Sequence, residues 1–252
     1  QLCTAQLSAR IDDIYRSYFG ERKTRDFASI KSTYNAHMLA LEALLRDRIA
    51  AAPDPLAYAI RLARVGNYID FGAKHEVDNH LLEELITDAE YATLDENEYA
   101  HLLADLNSAK SVVYISDNAG EIVLDKLLIE RLLTRYPEAT FTLLVRGAPT
   151  LNDATLEDAK AIGLTELLPV IGNGNAFAGT IWSELSAEAR ALLTNADVLI
   201  SKGQANFETL SGCGRNIYYL LLCKCDYYIR RFQVPRLTGL FVNEHRLPPL
   251  DN

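Results

Sequence analysis

This sequence has few cysteines, no strongly basic segment and no long apolar run, and each shortage excludes a class of protein. Its four cysteines are too few for the disulfide framework of a secreted domain, so we expect a reduced, cytoplasmic setting. The formal net charge is −9 and basic residues do not cluster, which argues against nucleic acid and anionic membrane surfaces as partners. No apolar run is long enough to span a membrane, and no signal-peptide pattern opens the sequence.

The 252 residues, of which 49% are apolar, suffice for one large domain or for one domain with a smaller companion. Residues 1 to 107 show the three-to-four spacing of apolar residues that is typical of helices, with Pro53 and Pro55 marking a helix break. From Ser111 onward, short apolar segments alternate with helical ones. The apolar segments are SVVYIS, TFTLLV, LLPVI, DVLIS, NIYYLLLC and TGLFVN. We therefore predict an α/β protein, a three-layer α/β/α fold with a mostly parallel sheet, plus an all-helical N-terminal subdomain, with boundaries at 1–107 and 108–252.

The segment SVVYISDNAGE places two oxygen-bearing side chains at the end of a predicted buried strand. Asp117 and Asn118 follow SVVYIS directly, and Gly120 precedes a run with helical spacing. Open α/β sheets bind ligands at the carboxyl ends of their strands, and an Asp-Asn pair offers the hard oxygen donors that Mg²⁺ or Mn²⁺ prefers. A capping box, with Asn118 as the N-cap and Glu121 reaching back, explains the same residues without any ligand.

Two further strand ends carry polar residues of the same kind, and parallel strands would bring all three ends to one edge of the sheet. The added candidates are Arg146, Asn152 and Asp153 after TFTLLV, and Lys202, Asn206 and Glu208 around the end of DVLIS. Carboxylates and amides can hold a divalent cation, and a lysine beside a glycine can approach phosphoryl oxygens. Together these groups are the parts that phosphoryl transfer requires.

Each of these residues also has an ordinary structural explanation. Asn152 or Asp153 could cap the next helix, and Lys202 could be a solvated lysine. Arg146 could pair with a surface acid, and Glu208 could favour the first turn of a helix. One shared site explains three polar strand ends more simply than three unrelated caps do, so the sequence favours a common site.

The helical part contains one further candidate segment, GNYIDFG at residues 66–72. Its Asn67 and Asp70 are three residues apart and would share one face of a helix among apolar neighbours. A buried Asn or Asp must find hydrogen-bond partners. The pair therefore either satisfies a helix-packing or C-cap requirement or contacts a polar ligand from the helical subdomain, and the sequence leaves both interpretations open.

Four segments in this order resemble the signature segments of the damage-control phosphatases, the ARMT-like proteins once catalogued as domain of unknown function 89. The segments are GNYIDFG, SDNAGE, RGAPTLNDAT and SKGQANFE. The resemblance covers residues 60–210 and is closest to the compact archaeal and bacterial members of the family. The C-terminal segment that follows resembles the family less, so we assign no role to its residues.

This resemblance implies a metal-dependent phosphatase that acts on small phosphorylated metabolites, such as sugar phosphates or damaged phosphate esters. It implies that Asp117, Asn118 and Asp153 hold a divalent metal cation, with Mg, Mn, Co and Ni as candidates. It also implies that Lys202 contacts phosphate, and that the Asn and Asp of GNYIDFG lie at the same pocket.

We accordingly predict an enzyme that hydrolyses phosphomonoesters, with Asp117 and Lys202 as catalytic residues. The nucleophile is either Asp117 or an activated water, which the sequence does not distinguish. The predicted substrate-binding residues are Asn67, Asp70, Gly120, Glu121, Arg146, Asn152, Asn206 and Glu208. Two alternatives stay open: a non-catalytic protein that binds a metal and a phosphorylated metabolite, and a protein carboxyl methyltransferase, for which no glycine-rich methyl-donor fingerprint is present. The oligomeric state is not determined by these patterns.

Overall fold

The computed structural model describes residues 4–20, 26–70 and 77–247. Within these ranges the helices are α1 (Thr4–Phe19), α2 (Phe27–Ala51), α3 (Pro55–Gly66), α4 (Asn79–Asp88), α5 (Glu96–Ser108), α6 (Glu121–Arg135), α7 (Leu156–Ala161), α8 (Ala187–Asn195), α9 (Gln204–Leu210) and α10 (Asp226–Phe232). The strands are β1 (Ser111–Ile115), β2 (Thr140–Val145), β3 (Val170–Gly172), β4 (Val198–Lys202), β5 (Ile217–Leu222) and β6 (Gly239–Asn243). Short 3₁₀ helices span Leu164–Glu166, Trp182–Glu184 and Glu244–Arg246.

The strands form one six-stranded sheet in the order β3-β2-β1-β4-β5-β6. The pairs among β1 to β5 are parallel, and β6 pairs antiparallel with β5 at the edge. The chain moves outward from β1 through β2 to β3 and then returns to the other side of β1 with β4. The strand order therefore reverses between β1 and β4, and open α/β sheets bind ligands at the carboxyl ends of strands beside such a reversal.

Helices cover both faces of the sheet. Along β1, Val112 and Tyr114 lie in a core that includes side chains of α2, α3 and α6. Val113 and Ile115 lie in a second core with side chains of α8, α9 and α10. Successive residues of a strand face opposite sides, and burial on both faces explains why these strands read as continuous apolar runs. The predicted three-layer α/β/α fold with a mostly parallel sheet is confirmed.

The N-terminal helices share the first of these cores. Met38 of α2, Leu62 of α3 and Leu124 of α6 are all fully buried in it. The helix that precedes the candidate segment GNYIDFG is thus part of the same hydrophobic core as the helix that follows β1. The division into an N-terminal subdomain at 1–107 and an α/β domain at 108–252 stays a prediction.

Aspartates begin four of the N-terminal helices. The capping residues of α2, α3, α4 and α5 are Asp26, Asp54, Asp78 and Asp95. Each side chain accepts a hydrogen bond from a backbone N–H of the first turn, which would otherwise be unpaired, and its charge suits the helix dipole. The predicted break at Pro53 and Pro55 is the interval between the end of α2 at Ala51 and the start of α3.

Helix α3 ends earlier than the segment GNYIDFG suggests. Its last residue is Gly66, and Asn67 is the C-cap. A tighter turn bond from the Tyr68 N–H to Val65 O, at 2.9 Å, then leads the chain out of the helix. The prediction that Asn67 and Asp70 share one helix face is therefore wrong, because Asp70 lies beyond the helix.

The remainder of that segment, Phe71 and Gly72, lies outside the described residues. In the part of the chain that the structure describes, no helix combines the length and the apolar character needed to cross a membrane.

Candidate functional site

Three loops meet at the carboxyl ends of β1, β2 and β4. The first two are joined by the Ala154 N–H, which donates to Asp117 O at 2.7 Å, and by an isolated β-bridge between Asn118 and Asp153. The third joins through Asn206, whose side-chain amide donates at 2.9 Å to the backbone carbonyl that precedes Asp117. The three polar strand ends therefore lie together, as a parallel sheet requires.

Arg146 links the two aspartates that the sequence proposes as metal ligands. Its Nε donates to Asp153 Oδ2 at 2.6 Å, and its Nη2 donates to Asp117 Oδ1 at 3.3 Å. All three side chains are buried. Because a guanidinium keeps its charge at any ordinary pH, it supplies one fixed positive charge between two carboxylates. The two acids are thus neighbours in one site.

Asn206 and Thr180 hold the guanidinium from its other side. Arg146 Nη1 donates to Asn206 Oδ1 at 3.1 Å and lies 3.4 Å from Thr180 Oγ1. The Thr180 hydroxyl also donates to Asn206 Oδ1, at 2.8 Å. Since both side chains are buried and paired, Arg146 has little freedom to leave the aspartates.

Two asparagines orient the carboxylate of Asp117. Asn118 Nδ2 donates to Asp117 Oδ2 at 2.8 Å, and Asn67 Nδ2 donates to the same oxygen at 3.1 Å. Both amides also donate to Glu121 Oε2, at 2.9 and 3.3 Å respectively. The N-cap of α6 is Gly120 and not Asn118, so the capping-box explanation does not account for the asparagine side chain.

Helix caps do not explain Asp153 either. The helix α7 is capped by Thr155, whose backbone N–H and hydroxyl both donate to Asp158 Oδ2, at 2.8 and 2.7 Å. Asn152 lies beside the same loops, with its Nδ2 donating to Ile69 O at 3.3 Å. Asp153 therefore does not cap this helix, and its carboxylate accepts a hydrogen bond from Arg146 instead.

The α2 helix also reaches this edge of the sheet. Gly120 has a φ of +78°, and its N–H donates to Asn35 Oδ1 at 2.6 Å. Asn35 Nδ2 donates in turn to Asp158 Oδ1 at 3.0 Å. The glycine between the β1 loop and α6 is thus fixed by a buried side chain of the helical part.

The buried acids raise one another's pKa values. Burial is the largest cause of the raised pKa of Asp117, and the charges of Glu121 and Asp153 raise it further. The pKa of Asp153 is also raised, chiefly by burial, and Arg146 opposes both shifts. Asp70 acts on both groups, so it lies within electrostatic reach of them. Two buried carboxyl groups therefore share one guanidinium, and burial disfavours their ionised forms.

Lys202 lies behind the aspartates and not among them. Its ammonium donates to Ala63 O at 2.7 Å, to Glu121 Oε1 at 2.7 Å and to Asp125 Oδ1 at 2.6 Å. These protein oxygens occupy all three donors of a fully buried lysine. The structure thus differs from the predicted direct contact of Lys202 with phosphate, because β4 directs this side chain to the core shared by α3 and α6.

Asp70 and Glu208 have different surroundings. Asp70 forms an ion pair of 2.5 Å with Lys224, whose ammonium also donates to Asn67 O at 2.8 Å. Glu208 is exposed, and the Tyr228 hydroxyl donates to it at 3.2 Å. The prediction that Glu208 belongs to the substrate pocket is not supported by its contacts, because Asn206 turns inward two residues earlier on the same helix.

The donor set fits a small divalent cation. Asp117 and Asp153 offer carboxylate oxygens, and Asn118 offers its amide oxygen, since its Nδ2 is already donated to two carboxylates. Burial raises the pKa values of both aspartates, and a cation beside them would favour their ionised forms. Among the residues that the structure describes, no three His, Cys, Asp or Glu side chains form a metal-binding group by themselves. A cation here would therefore need the amide, and it would keep positions for water and phosphate oxygens.

The sequence patterns do not single out three polar residues near the site: Thr180, Lys224 and Asp125. Asp125 had a readable signal, because it follows Glu121 by four residues and therefore lies on the same face of a helix. Thr180 and Lys224 carry no such signal. They come from segments whose position beside the β1 loop only the packing of the sheet establishes.

The fold and the site define an α/β protein with a cluster of buried acids at the reversal point of its sheet. A family model described as the damage-control phosphatase ARMT1-like domain matches residues 4–238. A solved structure of a DUF89 family protein from Pyrococcus horikoshii, 31% identical, matches with a TM-score of 0.70 over 84% of this chain and 74% of that one. The chain therefore belongs to the damage-control phosphatase ARMT1-like family.

Curated relatives agree with this assignment. The chain is 33% identical over 203 residues to a damage-control phosphatase from Archaeoglobus fulgidus and 36% identical over 181 residues to one from Pyrococcus horikoshii. It is 38% identical over 200 residues to an uncharacterised protein from Methanocaldococcus jannaschii. The match to the Archaeoglobus protein covers 79% of this chain and 69% of the relative. The corresponding shares are 71% and 61% for the Pyrococcus protein and 75% and 64% for the Methanocaldococcus protein. The chain thus spans about two thirds of their length, and the names of the two damage-control phosphatases support a phosphatase function in the family.

Proposed function

We propose that this chain is a metal-dependent phosphatase that hydrolyses small phosphorylated metabolites, such as sugar phosphates or damaged phosphate esters. The observation that carries the proposal is the meeting of Asp117, Asn118 and Asp153 at the reversal point of the sheet, beside Arg146. The names of two relatives support the same reaction class.

Held by Asp117, Asn118 and Asp153, a divalent cation (Mg, Mn, Co or Ni) would polarise the phosphoryl oxygens and neutralise their charge. Arg146 is the permanent positive charge of the site, and it reduces the repulsion between the aspartates and an incoming phosphate. Asn67 and Asn118 fix the orientation of Asp117 by donating to its Oδ2. The attacking group is Asp117 or a water beside it.

Asp117→Ala tests this proposal, because it removes a carboxylate donor and one candidate nucleophile. We expect a loss of about a hundredfold or more in kcat/KM, the size of effect that follows removal of a strong electrostatic group. The assay is hydrolysis of sugar phosphates, cofactor phosphates and an aryl phosphate, with Mg²⁺, Mn²⁺, Co²⁺ and Ni²⁺ in parallel. Glu166→Gln, which changes an exposed carboxylate in the 3₁₀ helix before the amino end of β3, is the matched control.

Retained turnover by a folded Asp117→Ala protein would contradict the proposal. Binding of Mn²⁺ by the wild type without turnover on any substrate would instead indicate a non-catalytic binding protein. Calorimetric binding of S-adenosylmethionine would indicate a carboxyl methyltransferase. The cytoplasmic setting and the lack of nucleic-acid and membrane partners stay predictions.

A further inference from the structure

A second layer of charged side chains lies behind the aspartates. It consists of Lys202, Glu121, Asp125 and Tyr114, which are all fully buried, and is called the Lys202 cluster below. Lys202 Nζ lies 2.7 Å from Glu121 Oε1 and 2.6 Å from Asp125 Oδ1. The Tyr114 hydroxyl donates to the same Asp125 oxygen at 2.8 Å.

Stability alone is a poor explanation for the Lys202 cluster. It combines one ammonium with two carboxylates in the core, and its Asp125 Oδ2 is buried with no hydrogen-bond partner in the described part of the chain. Removing charges from water is costly, and apolar side chains of similar volume often stabilise a core at least as well. A group held at such a cost is a candidate for a role in orienting its neighbours.

The cluster is connected to the aspartate site through Glu121. One oxygen of this carboxylate, Oε1, is fixed by Lys202, and the other, Oε2, accepts from Asn118 Nδ2 at 2.9 Å. Asn118 Nδ2 also donates to Asp117 Oδ2. The position of Glu121 therefore determines where the amide oxygen of Asn118 points. Without its anchor at Oε1, the Glu121 carboxylate would be held only at Oε2, by the two asparagines Asn118 and Asn67, and would orient that amide less firmly.

We infer that Asp125 is a positioning residue for the cation site. With Lys202 it holds the carboxylate of Glu121 in place, and Glu121 in turn orients the donor amide of Asn118. Asp125 touches neither substrate nor cation in this arrangement. The inference rests on the cation site of the proposed function, and its kinetic part rests also on the proposed hydrolysis. Groups that orient metal ligands from behind commonly change metal affinity or activity when they are altered.

Asp125→Asn tests the inference, because it keeps the size of the side chain and removes its charge. We expect the affinity for Mn²⁺ alone to fall about tenfold, and kcat to fall about ten- to a hundredfold. KM for the best substrate of the screen should change by less than about threefold, because the substrate is not contacted. Calorimetric titration of the metal-free protein with Mn²⁺ and steady-state kinetics provide the two measurements.

Glu130→Gln is the matched control. Glu130 is also a carboxylate of α6, and it accepts hydrogen bonds from Arg46 at 2.9 and 2.8 Å. It has no contact with the Lys202 cluster among the described residues. Its substitution should leave the Mn²⁺ affinity and kcat unchanged, although it lowers stability.

Tyr114→Phe serves where Asp125→Asn does not fold, since it removes only the hydroxyl that donates to Asp125. We expect a loss of about two- to threefold in Mn²⁺ affinity, smaller than for the charge removal. The inference is tested on whichever of the two variants unfolds cooperatively. If that variant binds Mn²⁺ with wild-type affinity, the inference is overturned. If the wild type binds Mn²⁺ but hydrolyses nothing, the proposed function fails, and the Mn²⁺ titration still decides the role of Asp125.

Discussion

Gly203 has no side chain because the carboxylate of Asp117 occupies the space where one would lie. A Cβ at this position would stand 1.9 Å from Asp117 Oδ2 and 3.0 Å from Asn67 Nδ2. The residue also has a φ of +79°, a conformation that suits glycine. Asp117 is also held by Arg146 and Asn118, so moving it away from an added Cβ would disturb these contacts. One glycine thus allows β4 to approach the acid at the end of β1.

Gly203→Ala should displace Asp117 and weaken binding of Mn²⁺ by about tenfold or more, while strain lowers the free energy of unfolding by about 1–3 kcal/mol. Gly212→Ala is the matched control, because Gly212 has a φ of +88° but no atom within 4 Å of the added Cβ. It should lose stability from the backbone conformation alone and bind Mn²⁺ normally. Equal Mn²⁺ affinities in the two variants would show that the contact with Asp117 is unimportant.

At the scale of elements, α3 connects the helical part of the chain to the site. Its first turn is capped by Asp54, which accepts from the Ala57 N–H at 3.0 Å and from the Tyr99 hydroxyl at 2.9 Å. Its last turn ends at Asn67, whose side chain donates to Asp117. Arg64, near that end, donates to Gly239 O at 2.8 Å and ties α3 to the edge strand β6. Contacts therefore hold α3 at both ends. The length of this helix then sets the position of Asn67 at the site.

Asp54→Ala should lower the free energy of unfolding by about 1–2 kcal/mol, because it removes the helix cap. The bond from Tyr99 is lost as well, so the effect should exceed that of Asp78→Ala. Among the described residues, the Asp78 side chain caps the peripheral helix α4 through the backbone N–H groups of His80 and Leu81. Urea unfolding monitored by circular dichroism compares the two. A smaller loss for Asp54→Ala than for Asp78→Ala would contradict this role of α3.

At the scale of the whole molecule, two acids, Glu121 and Asp125, are buried with Lys202 in the core behind the carboxyl edge of the sheet. Burial, the largest cause, raises the pKa of Asp125 to about 7, and the ammonium of Lys202 only partly opposes it. The unfolded chain ionises this group near its ordinary pKa of 3.8. Between these two values the folded protein binds more protons than the unfolded chain does, so this group's contribution to stability falls as the pH rises.

Because the contribution of Asp125 to stability falls as the pH rises, the stability of Asp125→Asn should depend on pH differently from that of the wild type. Asparagine does not titrate, so the variant escapes the loss of stability that the wild type suffers as the pH rises. The free energy of unfolding of the variant relative to the wild type should therefore rise between about pH 4 and pH 7 and level off above. Urea unfolding of both metal-free proteins at closely spaced pH values measures the difference. A pH-independent difference would show that Asp125 keeps an ordinary pKa in the folded protein.

The strands and the order of polar loops could be predicted from the sequence because they depend on local patterns. Runs such as SVVYIS and NIYYLLLC are apolar on both faces, which only a strand covered on both sides requires. Parallel strands then bring Asp117, Asn118 and Asp153 to one edge whatever the details of packing. The residue at which α3 ends could not be predicted from the sequence, since Gly66 and Asn67 are compatible both with a continued helix and with its termination.

The sequence by itself thus determined the layered fold and the edge of the sheet at which two aspartates and an asparagine meet. Only the tertiary structure decided which charged residues face that site and which support it from behind. Lys202 meets Ala63 and Asp125 because strand, helix and helix pack together, although these residues are far apart along the chain. Glu208 is exposed because the packing of α9 turns this position outward. Which direction a side chain faces depends on the rotation of its element against the others, and local patterns do not specify that rotation.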